Sequence, residues 1–322
     1  MRILITGGAG FIGHNVTRML EQGHECIVVD TNTNYGFIPL KEMKFLNKAR
    51  AQRFNSQIVH ADIRNTVRMY NLFKEFNPDT VIHLASFPRQ KVVSQAPILG
   101  SEVMSTGLIN LLECAKATSV KKFVYISSSM VYGDFTGENL TEDAPTNPIG
   151  QFGIMKLAGE WLVKDYARRT DMQYTIIRPS AVYGEWDVED RVVSKFMTKA
   201  MRGEVLKVNG AGEVLDFTYV EDTAQGIVKA ALSPNANGGI YNITRSSERQ
   251  YTLLDAANLA ISIAGMGSVE IHDKDAEFPA RGRLSIDRAI KDFDYAPTTN
   301  VEEGFKKYYD WYIANPSLYE KK

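Results

Sequence analysis

Two side chains four residues apart raise the first chemical question in this chain. Phe152 and Lys156 lie in the run IGQFGIMKLAGE, residues 149–160, behind a loop carrying Pro145 and Pro148. A helix continuing through Trp161, Leu162, Tyr166 and Ala167 would put both on one face, one turn apart. A lysine over an aromatic ring can be packing and nothing more. Were the ring a tyrosine, the neighbouring ammonium would make its phenolic proton easier to remove. The ring and the lysine are present here; the hydroxyl is not.

A second group of residues speaks for a bound anion. Gly7-Gly8-Ala9-Gly10-Phe11-Ile12-Gly13 follows the strand-like run MRILIT and precedes a helix through Val16, Met19 and Leu20. Glycines at 7, 10 and 13 allow a tight turn, close approach to a diphosphate and packing of helix on strand, while the helix N-terminus favours the anion. The next strand, CIVVD, ends in Asp30, twenty residues beyond Gly10. A carboxylate there can accept both hydroxyls of an adenosine ribose. It would also repel a 2′-phosphate, which Thr31–Asn34 offers no arginine to receive, so NAD is expected rather than NADP. The bland alternative for Asp30 is a turn residue at a strand end.

Positioning these groups takes alternating strands and helices. Strands are expected at Gln57–Ala61, followed by Asp62-Ile63 where they could flank an adenine, and at Thr80–Ala85, Lys121–Ser127 and Tyr174–Arg178. Helices fall at 65–76, about 98–118 and the central 152–169. The alternation predicts an α/β fold, a Rossmann-type doubly wound parallel sheet with ligands at the strand C-termini. After Pro179 the pattern loosens into helices at about 191–202, 221–232, 252–264 and 301–314, with a strand at 240–243. We read 1–179, plus about 222–243, as the NAD-binding domain, and 180–221 with 244–322 as a smaller C-terminal α/β substrate-binding lobe. Residues 40–53 read as a basic amphipathic helix whose charges form a solvated face.

Composition narrows the function classes. The 322 residues are 44% hydrophobic, with Lys+Arg 37 against Asp+Glu 38; this suits a sizeable core and calls for neither nucleic acid nor an anionic membrane. No apolar run approaches the roughly 20 residues of a membrane span, and no signal-peptide pattern precedes MRILIT. Cys26 and Cys114 are too few for a disulfide framework or a CxxC metal site. Both read as core thiols, no metal is expected, and a reducing, cytoplasmic setting follows.

Taken in order, GGAGFIG at 7–13, Asp30, Asp62-Ile63, HLAS at 83–86, SSSMVYG at 127–133, Lys156 with LAGE, RPSAVYG at 178–184 and DFTYVEDTA at 216–224 form a set. The set resembles the extended short-chain dehydrogenase/reductase family, in its nucleotide-sugar epimerase/dehydratase branch, over essentially the whole chain. That resemblance implies NAD chemistry on a sugar carbon. A tyrosinate takes the hydroxyl proton, a lysine lowers the tyrosine's pKa and holds the nicotinamide ribose, and a Ser or Thr hydroxyl bonds the same sugar oxygen. Carried onto this chain, the catalytic roles fall on Phe152, Lys156 and Ser128. The cofactor contacts fall on Gly7, Gly10, Phe11, Ile12, Gly13, Asp30, Asn32, Asp62, Ile63, Leu84, Ala85, Ser86, Ser127, Lys156 and Pro179. A homodimer is also implied, pairing helices 98–118 and 152–169. Ile109, Leu112, Ala115, Leu162 and Tyr166 are apolar enough for that face, and equally suited to packing on the sheet.

Three departures from the family pattern matter. Phe152 stands at the tyrosine position and can neither shed nor accept a proton, although binding of NAD and sugar nucleotide should survive. Either it is a deliberate Tyr→Phe replacement, favoured because a single oxygen is missing from otherwise intact cofactor positions, or a natural, weakened homologue. Next, the Asp-Glu that follows the hydroxyl residue in 4,6-dehydratases is Ser129-Met130 here. This disfavours water loss and decarboxylation and leaves 4-epimerisation through a 4-keto sugar. Finally, Ser180 replaces a common Asn after the Arg-Pro of the sixth strand, and Leu215 replaces an arginine that grips the nucleotide diphosphate. Arg191, Arg281 and Arg283 are the candidates to take over that grip. Ser128, Ser129 and Ser180 would make a hydroxyl-rich pocket for a hexose 6-hydroxyl or a uronate carboxylate, with Arg89 and Lys91 in the loop that reaches the sugar in relatives. The segment NYG…LKEMKFLNKAR is similar to the corresponding loop of UDP-glucuronate 4-epimerases. The leading expectation is a UDP-sugar 4-epimerase with its base blocked, on a UDP-hexose or UDP-uronic acid. A nucleotide-sugar dehydrogenase or 4-ketoreductase, and a non-catalytic NAD- and sugar-binding homologue, stand as alternatives.

Overall fold

The structure, a computed structural model, describes residues 1–34, 38–188 and 190–319. Its core is a seven-stranded, wholly parallel sheet. Across the sheet the strands run Gly239–Ile243, Gln173–Pro179, Lys122–Ile126, Thr80–His83, Arg2–Thr6, Glu25–Asp30 and Gln57–His60. In chain order this is the doubly wound Rossmann sequence, with the reversal of winding between Arg2–Thr6 and Thr80–His83. Ligands of such sheets bind outside the strand carboxyl ends at that reversal.

Alternation along the first strand shows why both faces are covered. Leu4 joins Val81, Phe123, Leu108 and Leu112 on one side, where helices Thr66–Phe76, Gly107–Ala117 and Gln151–Arg168 pack. Ile3 and Ile5 join Ile82, Val124, Val16 and Ile227 on the other, under helices Gly13–Leu20 and Val220–Leu232. Side chains one residue apart point to opposite faces, so a continuous apolar run serves two layers at once. Cys114 is buried in the first of these cores, but Cys26 is only partly covered because it lies near the beginning of its strand.

A second core lies beyond the sheet. Phe196, Met197, Leu206, Tyr219, Phe305 and Tyr308 form it around helices Val192–Met201, Leu253–Ala264 and Val301–Ala314 and the parallel pair Val205–Asn209 with Ser268–His272. Leu46, from the helix Leu40–Ala51, is buried in this same cluster, and Arg50 one turn later is only 4% exposed. The expected solvated face of this helix therefore holds for Lys41, Lys44 and Lys48, which are exposed, and fails for Arg50. Its lysines point outward, while Leu46 and Arg50 dock it onto the C-terminal part of the chain.

The expected helix at 98–118 also differs in detail. It is preceded by a separate short helix Gln90–Gln95 and runs as Pro97–Ser101, a wide π turn Glu102–Thr106, and Gly107–Ala117. π turns of this kind recur where a helix must re-aim a side chain. Here the turn coincides with Glu102, which reaches Arg64 at 2.6 Å, and Val103, which faces the main cleft.

Candidate active site

A cleft of about 1170 Å³ opens at the carboxyl ends of the strands, between the sheet and the second core. Every cofactor, catalytic and substrate candidate named above from Gly7 to Arg281 lines this one cleft, except Arg283. Arg283 instead lines a small crevice beside Asp216, and its Nε donates to Ser246 Oγ at 3.1 Å. Tyr35 and Gly36 of the NYG segment lie outside the described residues.

The glycine turn is shaped for close approach. Gly7 has φ +71°, and a Cβ on it would sit 2.6 Å from the Ala85 nitrogen; one on Gly13 would overlap the Gly7 carbonyl. Helix Gly13–Leu20 begins without a capping side chain. The turn itself caps it, since the His14 N–H donates to the Gly10 carbonyl and those of Asn15 and Val16 to the Ile12 carbonyl, while the positive end of the helix dipole still faces the cleft. Asp30 is pinned at the next strand end, Oδ1 accepting from Asn32 N at 2.8 Å and Oδ2 from Ala9 N at 3.1 Å. Burial raises its pKa, and those two N–H groups oppose the rise. Asp62 is held by Arg64 through contacts of 2.6 and 3.1 Å, a pairing that lowers its pKa. The Ile63 carbonyl beside it accepts from Asn110 Nδ2 at 2.6 Å.

Phe152 is 7% exposed in an apolar cluster with Phe87, Val92, Met104, Met130 and Met155. One turn on, the Lys156 ammonium sits 5.7 Å from the Phe152 ring centroid and 5.4 Å from that of Tyr125, donating to the Ile126 carbonyl at 2.7 Å. Burial pulls its pKa down to about 7, against an upward pull from Glu160. Glu160 is itself buried. It accepts from Arg178 at 2.6 and 2.8 Å and from Ser127 Oγ at 2.6 Å. Ser128 Oγ accepts from Met130 N at 3.2 Å, which aims it at the strand end. His83 lies under the same floor. Its Nδ1 meets Thr6 Oγ1 at 2.7 Å, and burial, then Lys156, lowers its pKa to about 3, so the ring stays neutral.

The opposite wall is built from ion pairs. Asp190 binds Arg89 and also Lys195, the latter at 2.5 Å; Asp187 binds Arg191 at 3.1 Å, and Arg191 lies 5.7 Å over the Phe11 ring. Arg281 is desolvated enough that its pKa falls to about 10. Leu215 is buried. The hydroxyls of Ser86 and Ser180 are buried without a hydrogen-bond partner among the described residues. Sequence reading passed over Arg50, Arg64, Gln90, Asp187 and Asp190, all of which line the cleft. Arg64 directly follows Asp62-Ile63, Gln90 lies between Arg89 and Lys91, and Asp190 precedes Arg191, so those three had neighbours that could flag them; Arg50 and Asp187 had none.

Comparison with known proteins decides the family. The profile of the NAD dependent epimerase/dehydratase family matches residues 3–244. The chain belongs to this family. Among its relatives, the UDP-glucose 4-epimerase of Mycolicibacterium smegmatis is 29% identical over 313 residues, covering 95% of this chain and 97% of that one. UDP-glucuronic acid 4-epimerase from Bacillus cereus, solved with UDP-glucuronic acid and NAD, superposes with TM-score 0.88 at 26% identity, over 98% of this chain and 100% of that one. A Tyr→Phe mutant of the same enzyme, with UDP-4-deoxy-4-fluoro-glucuronic acid and NAD, gives 0.89 at 26% identity over the same shares.

As a family member the chain is an NAD-dependent enzyme of the extended short-chain dehydrogenase/reductase type, and its residues fit that cofactor. A Cβ at Gly7 or Gly13 would collide with the main chain of Ala85 or of Gly7 itself, so these glycines let the turn pack tightly on strand and helix, and the cleft opens directly over that turn beside Asp30. The unpartnered Ser86 hydroxyl lies at the same strand ends. Among the described residues no helix is long and apolar enough to cross a membrane.

Proposed function

We propose that this chain is a nucleotide-sugar 4-epimerase acting on a UDP-hexose or UDP-uronic acid, with turnover held low by Phe152. The observation that carries the reading is the floor of the cleft, where Ser128, Phe152 and Lys156 converge beside Ser129 and Met130. Bound NAD supplies the hydride acceptor and donor for passage through a 4-keto sugar, with no net redox change. Gly7, Gly10, Phe11, Ile12, Gly13, Asp30, Asn32, Asp62, Ile63, Leu84, Ala85, Ser86, Ser127, Lys156 and Pro179 hold the cofactor. Asp30 supports NAD over NADP.

Lys156 is fixed by the Ile126 carbonyl at 2.7 Å and is positioned to bond ribose hydroxyls. The Ser128 hydroxyl orients the sugar oxygen that loses its proton. Phe152 places a ring where a proton acceptor belongs, and a positioned acid/base group is worth about 10²–10⁴ in rate. Met130 cannot deliver a proton to a leaving hydroxyl, which argues against dehydration. Arg89, Lys91, Arg191 and Arg281, with Ser129 on the floor and Ser180 after Pro179, receive the sugar and diphosphate, and Arg281 takes the part left vacant by Leu215. Arg283 drops out because it faces Ser246 outside the cleft.

The relatives' ligands support a UDP-sugar, and the Bacillus cereus Tyr→Phe mutant holding NAD with a UDP-sugar makes loss of one phenolic hydroxyl compatible with binding. The division into 1–179 plus about 222–243 and 180–221 plus 244–322, the cytoplasmic setting and the homodimer belong to the same proposal. Burial bears on which residues such a dimer would pair. Leu112, Ala115 and Tyr166 are buried against the sheet, while Ile109, Ile154 and Trp161 are 40%, 53% and 64% exposed on the two helices.

Restoring the hydroxyl tests the reading. The Phe152→Tyr protein, assayed against UDP-, GDP-, CDP- and dTDP-sugars, is expected to interconvert C4 epimers of a UDP-sugar without accumulating NADH. Stoichiometric NADH would instead establish a dehydrogenase or ketoreductase. Tight binding with no turnover in either form would make the chain a non-catalytic binder, the reading that Phe152 itself favours as runner-up.

A further inference from the structure

The central helix Gln151–Arg168 starts at Gly150, whose position has no side chain to cap the helix. The N–H groups of a helix's first turn have no partner within the helix and need one from elsewhere. The Phe152 N–H finds it 62 residues away, donating to Gln90 Oε1 at 3.0 Å. Gln90 is 5% exposed, and its Nε2 donates to Ser94 Oγ at 3.2 Å, which fixes which end of the amide faces the helix. Gly150 has φ +79°, and a Cβ there would overlap the Gln90 amide, so the glycine makes the room that the glutamine fills.

We propose that Gln90 is a positioning residue: it caps the central helix from outside and thereby fixes the face that carries residue 152 and Lys156. The ring of Phe152 lies in apolar surroundings and has no polar anchor of its own. Its placement rests on that packing and on the main chain, and Gln90 grips the main chain at residue 152 itself. Gln90 also stands between Arg89 and Lys91 in the cleft wall, so one amide links the sugar-side loop to the helix of the reacting groups. A shift of about 1 Å in a reacting group can cost on the order of 10²-fold in rate, so such a tie acts on turnover more than on affinity. Only this catalytic consequence rests on the epimerase reading.

Gln90→Met removes acceptor and donor at similar volume, whereas Gln90→Glu keeps the Oε1 acceptor. In the chain as it stands, amide hydrogen exchange at Phe152 should quicken about 5–10-fold in Gln90→Met and stay near the parent rate in Gln90→Glu. In the Phe152→Tyr background, Gln90→Met should lower kcat roughly 10–100-fold with KM for the UDP-sugar little changed, and Gln90→Glu should restore most of it. Unchanged exchange at Phe152 in Gln90→Met overturns the proposal. So does a loss of kcat and KM together that Gln90→Glu fails to rescue. The exchange measurement needs no turnover, so an inactive Phe152→Tyr protein would count against the epimerase reading while exchange still decides the role of Gln90.

Discussion

On the wall of the cleft proposed to hold the cofactor, main chain sets the shape: a glycine turn, a strand end, and an aspartate whose two oxygens are held by Asn32 and Ala9 N–H groups. On the wall proposed to hold the sugar, side chains set it: Asp190 between Arg89 and Lys195, and Asp187 on Arg191. Main-chain geometry of the first kind tolerates almost no added atom. Ion pairs of the second kind can re-pair with a charged group on a ligand by side-chain rotation, provided that no carboxylate is left buried without a partner. The first wall suits a constant ligand, the second a variable one. Residues 152–160 lie at the seam and share both traits, since a rigid helix there carries a buried charge network.

Experiments can break or sharpen that contrast. The largest change is expected at the seam, where Phe152→Tyr should raise turnover by about 10²–10⁴, read as initial rate of C4 epimer formation. Glu160→Gln should cost about 3–5 kcal/mol of folding stability in denaturant titration, because it leaves the Arg178 guanidinium charged and buried without its partner; the pair is 3% and 1% exposed.

Lys156 makes the seam sensitive to pH as well. Its pKa is lowered from 10.5 to about 7 in the fold, so between those values the unfolded chain binds more protons and stability rises with pH. Below about pH 7 the cost of charging the buried amine is fully present. Lys156→Met should therefore gain most over the parent at the acid end and lose its advantage as pH climbs toward 10.5, in parallel melts across that range.

On the cofactor wall, Gly13→Ala should weaken NAD binding about 10–100-fold by calorimetry, the equivalent of roughly 1–3 kcal/mol of overpacking. The smallest effect belongs to the sugar wall. Arg191→Ala should weaken UDP-sugar binding by about 5–10-fold, as expected for one lost hydrogen-bonded contact, and leave NAD affinity within about 2-fold. A larger loss for NAD than for the sugar would erase the distinction between the walls.

The same contrast explains what the amino-acid order revealed. The glycine turn, Asp30, the Ser127–Ser129 strand end and Lys156 are local signals, each carried by adjacent residues or one helical turn, and they were legible at once. The sheet was legible because its strands are short apolar runs of the kind parallel sheets bury. Arg50 donates to the Trp186 carbonyl across 136 positions, at 2.9 Å through Nε, and Arg89 meets Asp190 across 101. No window of sequence contains both ends of such a contact. A basic helix with one leucine and one arginine turned inward reads like any solvated helix until its partner is known. The π turn at Glu102–Thr106 is equally silent, because a widened turn changes no residue type.

Leu46 has a consequence for how the chain becomes a folded molecule. With its half-buried neighbour Phe45 it lies in the first fifty residues, yet it completes a core otherwise made by residues beyond 180. Conversely, the edge strand Gly239–Ile243 closes the sheet that Arg2–Thr6 begins. Neither the sheet nor that core comes from one continuous stretch, so a nascent chain cannot finish one before residues of the other emerge, as chains built of successive domains do. The early sheet must wait on the ribosome with an open edge, and the early helix with a bare leucine, until the last third of the chain arrives to cover both.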